Sequence, residues 1–237
     1  LREIIMDRNR KLPKTTQVLR KKFVCDKILN KEIMHIGCTG GLLDEVSIKE
    51  YPKSFIKEED THFIFSKFAN EISGLDISED KILFYKQSNM PGKYYVSDIT
   101  SNNFNHDKKY QSVVLGEVIE HLDNVGQSLK NIEKILSKDG ELIITTVNAF
   151  DIKIILKMFF NYESVHNEHT AYYSYSTLKR VLEMNNYYIA EFYFAENERK
   201  KTNDIMLLLS NMFGRIFSTL FKQFSQGIVV VAKLKSS

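Results

Sequence analysis

Short apolar runs alternate with amphipathic stretches along this 237-residue chain, and this alternation limits the possible folds more than any other feature. Seven runs predict strands, at residues 33–36, 71–76, 94–98, 112–116, 141–147, 188–194 and 228–234. Helical spacing of apolar residues predicts helices at 15–29, 61–69, 78–87, 123–136, 152–160 and 174–185. Strands that alternate with helices favour a largely parallel sheet with right-handed crossovers. The sequence therefore predicts a doubly wound α/β fold.

A single domain is expected over residues 1–237, because the chain has three prolines and no Gly/Ser-rich linker. We expect an N-terminal helical arm at 1–30, a core at 33–194, a helical excursion at 202–225 and a last strand at 228–234. No apolar stretch reaches the ~18 residues of a membrane span, and no signal-peptide pattern stands at the start. Cys25 and Cys38 lack disulfide-framework or zinc-ligand spacing, which favours a reducing, cytoplasmic location.

Basic residues are concentrated near the N-terminus. The formal net charge of +3 is too small to indicate a nucleic-acid partner, and none is expected. Eight basic residues nevertheless fall between Arg2 and Lys22, against only Glu3 and Asp7. They indicate either the solvated face of a helix or an arm that meets phosphates or an anionic surface.

Glycines and acidic residues stand where the first four predicted strands end. The first strand runs into a Gly-rich turn at 37–41, the second and third end at Asp76 and Asp98, and the fourth ends at Gly116 and Glu117. Ligands of such sheets bind at the carboxyl ends of the strands. Glycine lets the backbone approach a ligand closely, and a carboxylate accepts hydrogen bonds from both ribose hydroxyls. This edge is therefore predicted to bind a nucleoside-containing ligand.

The runs 33–41, 74–77, 97–99, 114–122 and 136–149 together resemble the motif series of class I methyltransferases, closest to the type 11 and type 23 groups. A later segment with Asn167, Glu168, His169, Tyr172 and Tyr173 resembles bacterial members associated with surface-polysaccharide gene clusters. The resemblance spans 33–194, with 228–234 as the last strand. It implies a Rossmann-like methyltransferase fold: a doubly wound, seven-stranded, mostly parallel sheet with an antiparallel last strand.

The resemblance also implies S-adenosylmethionine as cofactor and S-adenosylhomocysteine as product. The cofactor-binding residues expected from it are His35, Gly37, Cys38, Gly41, Asp76, Ile77, Asp98, Ile99, Gly116 and Glu117. Gly37 and Gly41 would surround the methionine portion, Asp76 the ribose, and Asp98 with Ile99 the adenine. The family usually has an acidic residue where His35 stands and a glycine where Thr39 stands, so Thr39 must keep a negative φ or be strained. Residues 44–60 look inserted and are expected to help close the site.

Methyl transfer to an alcohol requires a positioned base, most often histidine. His169 is the candidate base because acceptor-binding segments of this fold follow the fifth strand, and His121 is a weaker candidate beside the cofactor motif. Glu117 and Glu120 are adjacent carboxylates that would position the substrate or bind a metal, but no clear acidic cluster exists and no metal is expected. Tyr172 and Tyr173 either stack on the acceptor or belong to the core.

Residues 204–224 form a broad apolar face between the last two strands. We expect them to pack in the core or in a homodimer contact; the alternative is peripheral membrane contact that serves a lipid-linked acceptor. The expected function is O-methylation of a sugar or sugar-linked intermediate of surface-polysaccharide biosynthesis. The alternatives are a quinone, lipid or other small-metabolite acceptor, or a cofactor-binding protein without catalysis. A nucleotide-dependent oxidoreductase is disfavoured because the central glycine of its motif is missing.

Overall fold

The computed structural model describes residues 11–40, 57–198 and 205–235, with side chains from residue 212 onward in the last segment. Gly41 and most of the predicted insertion lie outside the described residues. The strands are β1 (Gln17–Leu19), β2 (Glu32–Ile36), β3 (Glu71–Asp76), β4 (Lys93–Val96), β5 (Tyr110–Gly116), β6 (Leu136–Val147), β7 (Tyr187–Glu196) and β8 (Gly227–Leu234). The helices are α1 (Arg20–Lys27), α2 (Thr61–Ser66), α3 (Glu79–Gln87), α4 (Val125–Ile135), α5 (Ile152–Met158), α6 (Tyr175–Met184) and α7 (Ile205–Leu220).

All eight strands form one mixed sheet in the order β1-β7-β8-β6-β5-β2-β3-β4. β2 pairs in parallel with both β3 and β5, and β5 pairs in parallel with β6. β8 runs antiparallel to β6 and to β7. The doubly wound α/β fold and the antiparallel last strand are thus confirmed.

The strand count of seven was too low, because β1 lies inside the predicted 15–29 helix. Gln17 pairs with Phe194, and Leu19 with Glu196, so β1 extends the sheet beyond β7 as a parallel edge strand. The side-chain amide of Gln17 donates a hydrogen bond to the Ser225 hydroxyl at 2.8 Å. Three residues are too few to show an alternating pattern, and α1 begins only at Arg20. Residues 17–19 of the predicted N-terminal helical arm therefore belong to the sheet.

The central strands are buried on both faces. Val113 and Leu115 of β5 belong to the core cluster under α4 and α6, whereas Val114 belongs to the cluster under α1 and α2. Alternate residues of a strand point to opposite faces, so this division places helices on both sides of the sheet. Full burial of each such side chain contributes about 1.5–3 kcal/mol. The rigid strands fix the residues at their carboxyl ends.

Side-chain caps set where several helices begin. Asp60 accepts a hydrogen bond from the Phe63 amide at the start of α2, and Ser78 caps α3. Asn124 caps α4, so this helix begins two residues later than predicted. Ser174 and Thr177 form a reciprocal capping box on α6. None of the helices within the described ranges combines the length and apolar character needed to span a membrane.

The described part of α7 does not pack its apolar residues into the core. Met212, Phe213, Ile216 and Leu220 are all at least half exposed, and Leu220 is 72% exposed. Core packing of residues 204–224 was therefore a wrong prediction for these side chains. α7 contacts α5 instead, and Gly214 allows the close approach, since a Cβ there would lie 2.8 Å from Cε of Lys153.

Candidate active-site cleft

A cleft of about 720 Å³ opens at the carboxyl edge of the parallel strands. Ten of the residues predicted from the sequence line it: His35, Gly37, Asp76, Ile77, Asp98, Ile99, Gly116, Glu117, His121 and His169. They come from the ends of β2, β3, β4 and β5 and from two later segments, and the sheet topology brings them together. Cys38 does not line the cleft, and Gly41 lies outside the described residues.

The first turn requires glycine at position 37. Gly37 has a φ of +68°, and a Cβ on it would lie 2.5 Å from Cγ2 of Val118. Both the backbone conformation and the close neighbour exclude a side chain. Cys38 follows with its side chain buried, and its carbonyl accepts a hydrogen bond from the Tyr85 hydroxyl at 3.2 Å. Burial raises the pKa of the Cys38 thiol well above its usual value, so the thiol stays protonated.

Thr39 joins this turn to the end of β3. Its amide and its hydroxyl donate to Oδ2 of Asp76 at 3.1 and 2.7 Å, and the Ser78 amide donates to Oδ1 at 3.0 Å. Thr39 is fully buried, and it is not among the residues with positive φ. Replacement of the usual glycine therefore causes no backbone strain here. Threonine instead orients the Asp76 carboxylate, a role that the sequence motif did not reveal.

His35 and His62 form a stacked, buried pair beneath the cleft. Their Nδ1 atoms are 3.2 Å apart, and Nε2 of His62 lies 3.1 Å from the Pro91 carbonyl oxygen. A carbonyl only accepts, so Nε2 of His62 carries the proton and its Nδ1 is an acceptor. Nδ1 of His35 must then be the donor, which leaves Nε2 of His35 as a lone-pair acceptor. That atom would lie 3.8 Å from a Cβ built on Gly116.

Both members of this pair are neutral. Burial lowers the pKa of His62 to about 4, and burial together with the neighbouring His62 lowers the pKa of His35 well below its usual value. The rings of Tyr85 and Tyr94 contact His62 from α3 and β4. Where the family usually carries a negative charge, this chain thus presents a neutral hydrogen-bond acceptor. Sequence reasoning missed His62, which has no recognisable motif.

Arg20 reaches the cleft from α1. Its side chain is 8% exposed and forms an ion pair with Glu117, which has a positive φ of 56° at the end of β5. Burial lowers the pKa of Arg20, while Glu120, Glu198 and Glu196 oppose this change. The guanidinium lies against β8, where a Cβ on Gly227 would overlap it. The solvated-face interpretation of the basic arm is therefore wrong for Arg20, a functional candidate that the sequence analysis had counted only as surface charge.

Glu120 connects the cleft floor to the segment that carries His169. Its carboxylate is buried, Oε2 accepts a hydrogen bond from the Thr146 hydroxyl at 2.8 Å, and burial raises its pKa. Its backbone carbonyl accepts from the amide and the hydroxyl of Thr170, at 2.8 and 3.0 Å. The single hydroxyl proton of Thr170 is shared between the Glu120 carbonyl and the Leu122 carbonyl, which also lies at 3.0 Å. These contacts hold His169 at the mouth of the cleft.

Three histidines gather at this end of the cleft. The ring of His169 lies 4.7 Å from that of His121 and 5.2 Å from that of His166, between ring centroids. Burial lowers the pKa of His169, and His121 and His166 lower it further. Tyr172 contacts the His169 ring edge-on at 5.7 Å, whereas Tyr173 is buried in the main core. The sequence predicted His169 and His121 but missed His166.

The sequence of this chain matches a known protein family over most of its length. A family model described as a methyltransferase domain matches residues 7–191. A ubiquinone biosynthesis O-methyltransferase of Rickettsia bellii is 28% identical over 138 residues, 55% of this chain and 50% of that protein. The protein of the same name from Rickettsia typhi is 28% identical over 185 residues, 73% of this chain and 69% of that protein. The chain spans about half the length of the first of these curated relatives.

Solved structures share the fold at low sequence identity. A putative methyltransferase of Haloferax volcanii, in complex with the Trm112 methyltransferase activator, has a TM-score of 0.61 at 10% identity and covers 91% of this chain and 88% of that chain. The magnesium protoporphyrin IX methyltransferase of Synechocystis with bound S-adenosylhomocysteine has a TM-score of 0.52 at 12% identity, over 91% of this chain and 79% of that one. The sheet described above is therefore the Rossmann-like fold of methyltransferases.

Proposed function

This chain belongs to the methyltransferase domain family, and from that premise we propose that it is an S-adenosylmethionine-dependent O-methyltransferase. The observation that carries the proposal is the joint geometry of the Gly37 turn and Asp76, which Thr39 ties together at the carboxyl edge of the sheet. The turn has no side chain at Gly37, so its backbone can approach a ligand closely. The oriented Asp76 carboxylate lies beside it and can accept hydrogen bonds from the same nucleoside ligand.

The cleft fits this cofactor in size and in chemistry. Its volume of about 720 Å³ lies within the range of roughly 300–1,000 Å³ that small-molecule sites occupy. Asp76 would accept hydrogen bonds from the ribose, and Asp98 with Ile99 would flank the adenine. Nε2 of His35 would accept a hydrogen bond from the amino group of the methionine portion, in place of the family's usual acid. When bound, the cofactor supplies a methyl group on a positively charged sulfur and leaves as S-adenosylhomocysteine.

The residues of the chain would then orient the acceptor and remove its proton. Holding the methyl donor and the acceptor at attack distance supplies a large part of the reduction in the activation barrier. His169 is the proposed base, because its imidazole is neutral and lies at the cleft mouth, with His121 as the weaker candidate. Arg20 and Glu117 would close the opposite side of the acceptor region.

The acceptor is proposed to be a hydroxylated small molecule with an aromatic or quinone-like ring. The shared name of the curated relatives, ubiquinone biosynthesis O-methyltransferase, supports this choice over a sugar. The names of the matched proteins described above do not refer to a polysaccharide. The second candidate function is O-methylation of a sugar in the cytoplasm. It is supported by the resemblance of the segment around His169 to family members associated with surface-polysaccharide gene clusters.

Calorimetry with S-adenosylmethionine and S-adenosylhomocysteine tests the cofactor assignment. The wild-type chain is expected to bind both, and Asp76→Ala is expected to weaken each by at least about tenfold, the size of one lost charge-assisted hydrogen bond. Asp80→Ala, which removes an exposed carboxylate on α3, is the matched control and should bind like wild type. If the wild-type chain binds neither ligand, the proposed cofactor is wrong.

Turnover with labelled cofactor tests the acceptor and the base. A panel of catechol-like phenols and activated sugars is expected to show transfer to the phenols. His169→Ala should retain cofactor binding and lower turnover by about 10²–10⁴-fold, as for loss of a general base. His106→Ala, outside the cleft, is the control. Tight cofactor binding without transfer to any acceptor would instead favour a non-catalytic binding protein.

A further inference from the structure

The three histidines at the cleft mouth have the composition and spacing of a metal site. One ligand atom from each of His121, His166 and His169 can be chosen so that all three lie within 4.8 Å of one another. Three nitrogens on one zinc ion are about 3.3 Å apart, given Zn–N bonds of about 2.0–2.1 Å in tetrahedral geometry. Side-chain rotations that move each ring by about an ångström therefore close the site. His166 is exposed, so its ring has room to rotate.

One imidazole nitrogen of the cluster is buried without a partner in the part of the chain that the structure describes. This atom is Nδ1 of His169. A buried polar nitrogen of this kind costs free energy unless something binds it, and a metal ion would satisfy it.

Glu168 supplies the outer partner that metal-bound histidines usually have. Its Oε2 lies 3.9 Å from Nδ1 of His121, so a small shift lets Nδ1–H donate to the carboxylate and leaves Nε2 of His121 for the metal. Glu117 pairs with Arg20, and Oε2 of Glu120 accepts a hydrogen bond from Thr146, whereas Oε1 of Glu120 has no partner among the described residues. The ligand atoms that lie within 4.8 Å of one another are those of the three histidines, so the proposed donor set consists of nitrogens.

We propose that His121, His166 and His169 bind a divalent first-row transition-metal ion of the Zn²⁺ type. Imidazole ligands suit zinc, copper, iron and nickel, whereas magnesium requires oxygen ligands. Three protein ligands leave a coordination position open, and all three histidines line the cleft, so a ligand in the cleft would have access to that position. With the ion bound, His169 would be a ligand rather than the general base, and an acceptor hydroxyl is the expected further ligand, whose ionisation the ion would favour. This last step alone rests on the proposed methyl transfer, and ion binding does not.

Cobalt spectroscopy on the untagged, chelator-treated chain tests the site. Titration with Co²⁺ is expected to give visible d–d bands of a four- or five-coordinate site that saturate at one equivalent and are displaced by Zn²⁺. His166→Ala and His169→Ala should each weaken Co²⁺ binding by at least about tenfold, and Glu168→Gln by about tenfold through the outer partner. His106→Ala, a histidine outside the cleft, is the matched control and should bind Co²⁺ like wild type.

Several outcomes would overturn the proposal: no Co²⁺ bands with the wild-type chain, unchanged affinity in the histidine variants, or equal loss in His106→Ala. Circular dichroism and S-adenosylhomocysteine calorimetry on the same variants check that they fold. Co²⁺ binding by a wild-type chain that fails to bind S-adenosylhomocysteine would reject the proposed function and leave the metal site standing. The reverse result would reject the metal site alone.

Discussion

His62 fixes the tautomer of His35. Because His62 is buried, we also expect it to make the stability of the fold sensitive to acid. Its folded-state pKa is about 4, against 6.5 for an unperturbed histidine. Between these values the unfolded chain takes up a proton that the folded chain does not, so the free energy of unfolding falls as the pH drops through this window. The contribution of His62 lost between pH 7 and pH 4 is about 3 kcal/mol. His35, whose pKa is also lowered, acts in the same direction.

Urea denaturation at pH 7 and pH 4.5 measures this effect. His62→Gln keeps a donor for the Pro91 carbonyl but cannot titrate, so its free energy of unfolding should fall less between the two pH values than that of wild type. Asp60, Tyr85 and Tyr94 face the same pocket, are unchanged in the variant, and cancel in the comparison. Exposed His166→Gln should follow wild type. Parallel pH profiles for wild type and His62→Gln would contradict the assignment.

The turn at 37–40 illustrates how far single residues can be predicted. Strand-end glycine and aspartate have a local signature, so Gly37 and Asp76 were placed in the cleft from the sequence. Thr39 was expected only to avoid strain, because its bonds to Asp76 join positions 37 residues apart in the chain. His62 and Arg20 escaped prediction for the same reason: each acts through a partner that only the folded sheet brings near.

At the scale of elements, α1 is anchored to the cleft by its first residue. The Arg20 guanidinium is surrounded by Glu117, Glu120, Glu196 and Glu198. Arg20→Ala leaves these carboxylates without their buried cation, and removal of one partner of a buried pair costs about 3–5 kcal/mol. Glu117 is 47% exposed and can be solvated, so we expect a loss nearer 2 kcal/mol in the free energy of unfolding.

Urea denaturation of three variants tests whether the buried Arg20 ion pair, rather than any positive charge on α1, stabilises the fold. Lys22→Ala removes an exposed cation two residues along α1 and should change stability by less than about 0.5 kcal/mol. Arg20→Lys should recover part of the lost stability, because it restores the charge without the planar fork. Equal stability of Arg20→Ala and Lys22→Ala would show that the buried ion pair does not hold α1.

The elements that the sequence predicted well have local patterns, and the one it missed does not. β5 and β6 are long, apolar and rich in β-branched residues, so their strand character is visible without tertiary contacts. β1 has three residues, and only its pairing with β7 makes it a strand. Val18 and Leu19 fitted the helical spacing of the residues that follow, so the pattern placed them in α1.

At the scale of the molecule, strand order predicts where the cleft lies. Only the structure shows that three histidines form one cluster in it. The ends of parallel strands meet at one edge whatever the loops do, so the position of the site followed from strand order. His121 stands after β5, but His166 and His169 belong to the segment between α5 and α6, which the hydrogen bonds of Thr170 fold back onto Glu120. The sequence predicted His169 from its place after the fifth strand, but no pattern in the sequence indicates that His166 joins it beside His121.

Among the described residues, one group of exposed apolar side chains lies on α5, the turn after it and α7, and α5 contacts α7. Phe159, Phe160 and Leu220 are each more than 70% exposed, and Lys157 and Lys222 stand two residues from Phe159 and Leu220 in the sequence. Apolar and aromatic residues beside cations are typical of surfaces that lie in the interface of anionic membranes. The same cations disfavour a self-contact, since the partner copy would present like charges. We therefore expect this surface to bind anionic vesicles.

Co-sedimentation with phosphatidylglycerol-containing and purely zwitterionic vesicles tests this expectation. Wild type should sediment with the anionic vesicles and dissociate as salt screens the lysines. The double variant Phe159→Ser/Phe160→Ser should lose most of this binding. Leu83→Ser, which removes an exposed apolar residue of α3, is the matched control and should sediment like wild type. If wild type ignores vesicles but forms a dimer that the double variant does not, the surface is a contact between two copies of the chain, and the lipid assignment is wrong.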